Sequence, residues 1–260
     1  MDRPLARTAS LVAEGTLDAE LASLLALLVG AGVPVVVAGP VGPARALVVD
    51  AAAELLPPDV RVVELAGPAE EFEWLPEATE LGWRREHNVV PASGRDATSR
   101  ASAGTTVLVV RDLAGEGPGA TAGARARLVV RSLSVGYGLL AEMDGPDLEA
   151  VLNRLATPDI GTDEDERSRL GAVLAVADVA AGPRVLAAHY VRPLARDQHG
   201  HLQRMPPAVL ATWSMGADAF DHFAWGVIPE LAARIGLRPL ELEREQARIA
   251  AALRREAAAR

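Results

Sequence analysis

Apolar positions along the chain recur in two patterns. Leu17, Leu21, Leu24, Leu25 and Leu28 follow helical spacing. Thr16 stands where an N-cap would, Asp18 and Glu20 fall in the first turn, and Gly30 and Gly32 close the helix. Residues 33–39, VPVVVAG, are apolar without alternation, which predicts a central strand buried on both faces of a parallel sheet. Residues 45–57 suit a helix, 59–67 a second strand and 105–112 a third. A helix over 124–136 closes at Gly136, a fourth strand covers 137–144, and a helix over 146–156 starts at Pro146. Strands alternating with helices predict an α/β fold, with a mostly parallel sheet flanked by helices.

Other stretches are less regular. Residues 66–104 show little periodicity and read as a long, partly helical excursion. Residues 171–194 read as two strands around a Gly182-Pro183 turn, a β-hairpin. From Leu240 the chain is a charged helix. Glu245 lies three residues before Arg248, and Leu242, Ile249 and Leu253 share a face. It reads as a solvated terminal helix, with a coiled-coil contact as the alternative. The expected division is a main domain over 1–235 and a C-terminal helix over 236–260.

Composition narrows the chemistry. Half of the 260 residues are apolar, enough for one large core. The net charge of −9 is mixed along the chain, so nucleic acid and anionic membrane are poor partners. There is no cysteine, hence no disulfide, thiolate metal site or cysteine nucleophile. There is also no lysine, hence no Schiff base. Residues 21–44 carry no charge, but Gly30, Gly32, Pro34, Gly39, Pro40, Gly42 and Pro43 interrupt them, which argues against a membrane span. The N-terminus shows no basic-then-apolar leader, and the expected location is cytoplasmic.

The strand over 33–39 leads into Gly-Pro-Val-Gly-Pro-Ala-Arg-Ala at 39–46. A phosphate loop at this place reads G-x-x-x-x-G-K-[ST]. The surrounding order of motifs, from GTLDAELASLL (15–25) through LLPPDVRVVELAG (55–67), resembles the core of the type II/type IV secretion and pilus-assembly motor ATPases. RSLSVGYGLLAEMDGPDLEAVLNRL (131–155) is similar to the segment carrying that family's histidine box. RVLAAHYVRPLARDQHGHLQRMPPAVLATW (184–213) resembles its closing strands. The resemblance covers about residues 10–230. It implies a RecA-like P-loop NTPase core with a C-terminal β-hairpin and terminal helices.

The signature residues depart from the family's. Gly39 and Gly42 remain, but Pro40 and Pro43 have no N–H to offer a phosphate. Ala44 replaces a glycine, Arg45 the lysine and Ala46 the hydroxyl that would hold Mg²⁺. In the second strand Glu64 matches the family's glutamate, and Leu65 stands for its aspartate. In the third, Arg111 occupies the catalytic glutamate's place with Asp112 beside it. Tyr137 and Asp144 stand for the two histidines, and Glu142 for a threonine. Together these losses remove most of the electrostatic stabilisation that phosphoryl transfer needs.

The resemblance therefore implies a pseudo-ATPase with no cofactor, no metal and no catalytic residue. Its partners would be secretion or pilus machinery, such as an active paralogous ATPase, a membrane platform protein or further copies of itself. It would sit in the cytoplasm, or at the inner membrane through those partners. Two alternatives stay open: a weak ATPase using Arg45 with ATP and Mg²⁺, and a small-ligand binder reusing the same cleft. Residues 39–46 also admit a plain glycine-proline turn.

Other residues carry weaker signals. His199 and His201 around Gly200 read as a loop tip rather than a metal site. Phe220, Phe223 and Trp225 read as one packed helical face beside Asp218, Asp221 and His222. Trp74, Trp83, Glu80 and Glu86 could line a pocket in the excursion.

Overall fold

The computed structural model describes residues 5–84, 102–196, 199 and 202–260. Its strands are β1 (Val35–Gly39), β2 (Arg61–Glu64), β3 (Thr106–Val110), β4 (Gly138–Asp144), β5 (Ala172–Val179), β6 (Gly182–Tyr190), β7 (Ala195–Arg196), β8 (Leu202–Gln203), β9 (Ala208–Ser214) and β10 (Ala219–His222). Its helices are α1 (Ala6–Ala13), α2 (Ala19–Gly30), α3 (Pro43–Glu54), α4 (Gly123–Ser132), α5 (Leu148–Ala156), α6 (Glu164–Ser168), α7 (Ile228–Arg234) and α8 (Pro239–Ala258).

The valine run forms the centre of the sheet because it can bury both faces. Every residue of β1 is buried, and parallel β4 and β5 flank it. Eight strands lie in the order β10-β9-β6-β5-β1-β4-β3-β2. The half from β2 to β5 is parallel, whereas β6, β9 and β10 form an antiparallel wing. Side chains alternate between two cores. Val35 and Val37 join the layer of α1, α2, α3, α7 and α8. Val36 and Ala38 join the layer of α4 and α5.

Several local expectations shift by a few residues, each for a physical reason. Asp18, not Thr16, caps α2: its Oδ1 accepts from the Leu21 N–H at 2.8 Å. Thr16 is buried, and its carbonyl accepts from Val185 N–H. Asp147, not Pro146, opens α5 by accepting from Ala150 N–H. The β5–β6 turn falls at residues 180–181, since Gly182 and Pro183 already pair with Val179 and Asp178. Gly136 ends its helical segment in the left-handed region, as expected. In the excursion the described helical piece is one 3₁₀ turn, Gly67–Ala69, while Phe72, Leu75 and Ala78 are buried. Residues 85–101, including Glu86, lie outside the described residues.

Two readings are corrected. The C-terminal helix is not a solvated appendage: Leu242, Ile249, Ala250 and Leu253 of α8 are buried in the first core, and α8 packs on α2, α1 and α7. Its Arg248–Glu245 pair forms at 2.8 Å. The aromatic run at 220–225 is not one packed helical face. Its first half is strand β10, and Phe223 and Trp225 are exposed on the 3₁₀ turn Ala224–Val227.

If α8 belongs to the core, Leu253→Ala should cost about 2–5 kcal/mol in urea unfolding. The exposed neighbour substitution Arg255→Ala should stay within about 0.5 kcal/mol. A Leu253 variant as mild as the Arg255 variant would show that α8 unfolds independently.

Candidate functional site

In open α/β sheets, ligands bind beyond the carboxyl ends of the parallel strands. Four strand ends meet at that edge here. Gly39 ends β1, Glu64 ends β2, Arg111 follows β3 and Asp144 ends β4. The register sets Gly39 beside Asp144 and Glu64 beside Val109.

The loop after β1 has a packing reason for each unusual residue. A Cβ on Gly39 would stand 2.5 Å from the Val176 carbonyl oxygen of β5, so the close approach of two backbones demands glycine. Gly42 is the extended N-cap of α3. Pro43 takes the first turn of that helix, where a missing N–H costs nothing. Ala44 and Arg45 are buried and Ala46 is half-buried.

Arg45 does not present its charge at the mouth of the loop. Only 4% of it is exposed. It turns beneath the loop, where Nη1 donates to Gly39 O at 3.3 Å and Nε lies 3.9 Å from Glu142 Oε2. Arg111 holds the opposite side of the same carboxylate, with Nη1 3.3 Å from Glu142 Oε1. Arg111 also donates to Asp50 Oδ1 at 2.8 Å and to Glu64 Oε1 at 2.9 Å. Two guanidinia thus meet three carboxylates from α3, β2 and β4. The two cations are thereby neutralised, and with all three carboxylates ionised the cluster keeps one net negative charge.

Burial pushes the Glu142 carboxyl above the ordinary carboxylate range, against the opposing pull of Arg111 and Arg45. Burial acts to lower Arg111, but its hydrogen bonds to Glu64, Asp50 and Glu142 hold the guanidinium above its ordinary value. Arg111 therefore stays charged throughout, and Glu142 takes up a proton earlier on acidification than an exposed glutamate would.

The remaining expected residues do not all join this cluster. Asp112 folds back into its own loop, where a Cβ on Gly115 would stand 2.1 Å from its Oδ1. Asp144 is exposed at the rim. Tyr137 precedes β4, whereas Asp144 ends it, so the two lie at opposite ends of one strand, about 20 Å apart. Tyr137 is buried, packs edge-on against Trp74 and donates to Glu77 Oε2 at 3.0 Å. Burial, with the Glu77 contact, pushes its phenol up.

Trp74 and Trp83 pack with Phe72 and Tyr137 rather than opening a pocket. Beneath them the buried Glu70 accepts from the Ala66 and Phe72 N–H groups and Trp74 Nε1. Sequence reasoning missed Asp50, Glu70 and the bridging role of Glu142. Asp50 had one signal, a lone carboxylate in the apolar run LVVDAAA.

A scan against protein-family models finds none that matches the chain. A search of curated proteins likewise finds no match.

Two further features lie away from this edge. A cavity of about 300 Å³ opens between α5, α6 and residues 191–194 and 204–207. It lies at the other edge of the sheet, where β5 starts beside the end of β6. Its guanidinia are already engaged: Arg192 with Glu230 and Pro206 O, Arg204 with Glu164, and Arg167 with Thr162 O. Among the described residues, Asp18, Glu20 and His222 converge with donor atoms within 4.8 Å of one another. Asp18 also caps α2 and Glu20 also pairs with Arg254, which makes this an ion-pair cluster. His201 and Gly200 lie outside the described residues; His199 is exposed. No helix among the described residues is long and apolar enough to cross a membrane.

Arg111→Ala should destabilise the protein by about 1–2 kcal/mol near pH 8, a modest figure because the guanidinium is partly solvated. The deficit should shrink towards pH 5. The carboxylates that lose a partner are penalised only while ionised, and Glu142, already raised, protonates first. Urea unfolding of variant and parent at both pH values measures this. A deficit that grows on acidification would contradict the network.

Proposed function

We propose that this chain is a pseudo-ATPase: a non-catalytic subunit of the secretion and pilus motor ATPase class, with a structural or regulatory role. The observation that carries the reading is the placement of Arg45. The cation at the lysine's position is buried and spent on Gly39 O and Glu142. A triphosphate approaching this edge would meet Asp50, Glu64 and Asp144, with both guanidinia already neutralised. No hydroxyl at position 46 offers Mg²⁺ a ligand, and Pro43 offers no N–H.

The order β2-β3-β4-β1-β5, with a loop and helix following the central strand, supports descent from a RecA-like P-loop core. The scaffold keeps the arrangement of a nucleotide site while its charges are satisfied internally. Its role would then lie in docking surfaces offered to an active motor, a membrane platform protein or further copies of itself. On this reading it works in the cytoplasm, reaching the inner membrane only through partners. The weak-ATPase alternative requires Arg45 to leave its buried seat and Glu142 to lose that partner.

Purified protein with ATP and Mg²⁺ should release no phosphate above background, and calorimetry should detect no ATP or ADP binding. Steady turnover that disappears in Arg45→Ala would overturn the reading. For the docking role, mixing with an intact motor ATPase from the same genome should give co-elution in size-exclusion chromatography. Separate elution would count against a mixed assembly.

A further inference from the structure

We propose that His222 is a proton-operated clip, which when charged fastens the outer end of the antiparallel wing to α2 and when neutral lets that end open. The strand that carries it needs such a fastening. β10 is the outermost strand on its side, only four residues long, and it pairs with β9 alone. His222 is its last residue, and its ring crosses to α2, more than two hundred positions away in sequence. Nε2 lies 2.7 Å from Asp18 Oδ2 and 3.4 Å from Glu20 Oε2.

The receiving carboxylates are held in place from behind. Asp18 Oδ1 accepts from Leu21 N–H, and Glu20 Oε1 accepts from Arg254 of α8. Each thus has one oxygen engaged and one turned towards the imidazole. The charged groups facing the ring are Asp18 and Glu20 from α2 and Asp221 from β10, with Arg254 of α8 one step further behind Glu20. The field at the ring is therefore negative. Both contacts run through Nε2, so a neutral ring protonated there keeps a hydrogen bond to Asp18 but loses the charge, whereas the imidazolium makes that bond charge-assisted and offsets the two carboxylates.

The direction of the switch follows from the same contacts. The hydrogen bond to Asp18 raises the His222 pKa most, against burial, with the charges of Asp18, Glu20 and Asp221 adding to the rise. A histidine raised in the folded state contributes its full stabilisation below the unfolded value of about 6.5. That contribution is lost as pH rises through the folded value. The clip is closed in mild acid and opens in alkali. What it positions is the next stretch of chain: Phe223 and Trp225 follow at once, 44% and 79% exposed. Phe223 N–H still bonds Leu210 O, so opening frays the end of β10 rather than unfolding the wing. Charging His222 thus fixes the end of β10 beside this pair, while Phe223 N–H and the buried Ala224 and Val227 anchor the turn itself.

Hydrogen exchange on the full chain tests this, with peptides covering 208–227 compared at about pH 6 and about pH 8.5 after correction for intrinsic rates. Opening at 219–227 should be about tenfold more frequent at the higher pH, as expected for losing one charge-assisted contact. Peptides from β1 and β4 should not change. His222→Gln should abolish the pH difference and resemble the parent in alkali. Asp18→Asn keeps the helix cap, removes the main charge, and should flatten the difference even if the His222 variant fails to fold. Equal protection of the parent at both pH values would overturn the proposal. So would a pH difference that survives in a folded His222→Gln or Asp18→Asn variant, since it would belong to another group such as the half-buried His189.

Discussion

A carboxylate buried between two guanidinia governs the carboxyl edge of the sheet. Glu142 lies on β4 next to β1, and its two oxygens face Arg45 and Arg111 from opposite sides. Desolvating a carboxylate this far is costly unless it is paired, and desolvating Arg45 is costly for the same reason. Each group therefore fixes the other. If Arg45 swung out, Glu142 would be left with Arg111 alone, which ties the pair to α3 and β2 through Asp50 and Glu64. The loop at 39–46 takes its shape from this constraint and from the backbone of β5 pressing on Gly39. The loop thus closes on its own side chains.

Most of the scaffold was legible in the sequence because it depends on local patterns. Uninterrupted valines marked β1, turn residues bounded the strands, and leucines at helical spacing marked α2. What was not legible depends on distance. Arg111 reaches Asp50 across 61 positions and Glu64 across 47, and no periodicity announces such a meeting. Position in a motif placed Arg45 at the lysine's site but said nothing of where its longer, forked side chain would turn. Tyr137 shows the same limit: the resemblance grouped it with Asp144, and a single strand's length separates them. The burial of α8 was hidden for another reason. Its apolar stripe is narrow, and the charges around it dominate the composition of the segment.

The two halves of the sheet are stabilised differently. The parallel half is covered by helices on both faces and holds its charges in one tight cluster. The antiparallel wing is thinner, and its outer strand relies on a side-chain contact to the helical layer. Cations in the first half are guanidinia, which hold their charge across the physiological range. The second half places an imidazole at its fastening point, so each half has its own titrating group, His222 there and the raised Glu142 carboxyl in the first.

An open sheet also ends in two rows of unpaired amides and carbonyls, which invite strands from other chains. Here both borders are short. β2 and β10 each have four residues, with Arg61 and Glu64 at the ends of one and Asp221 and His222 closing the other. Charge and brevity discourage lateral growth, which makes the sheet self-limiting in width. Recruitment of another protein would accordingly proceed through helices, loops or the aromatic turn, and not by adding strands. At high concentration the chain can in this way stay crowded against its neighbours without fusing into a continuous β-structure.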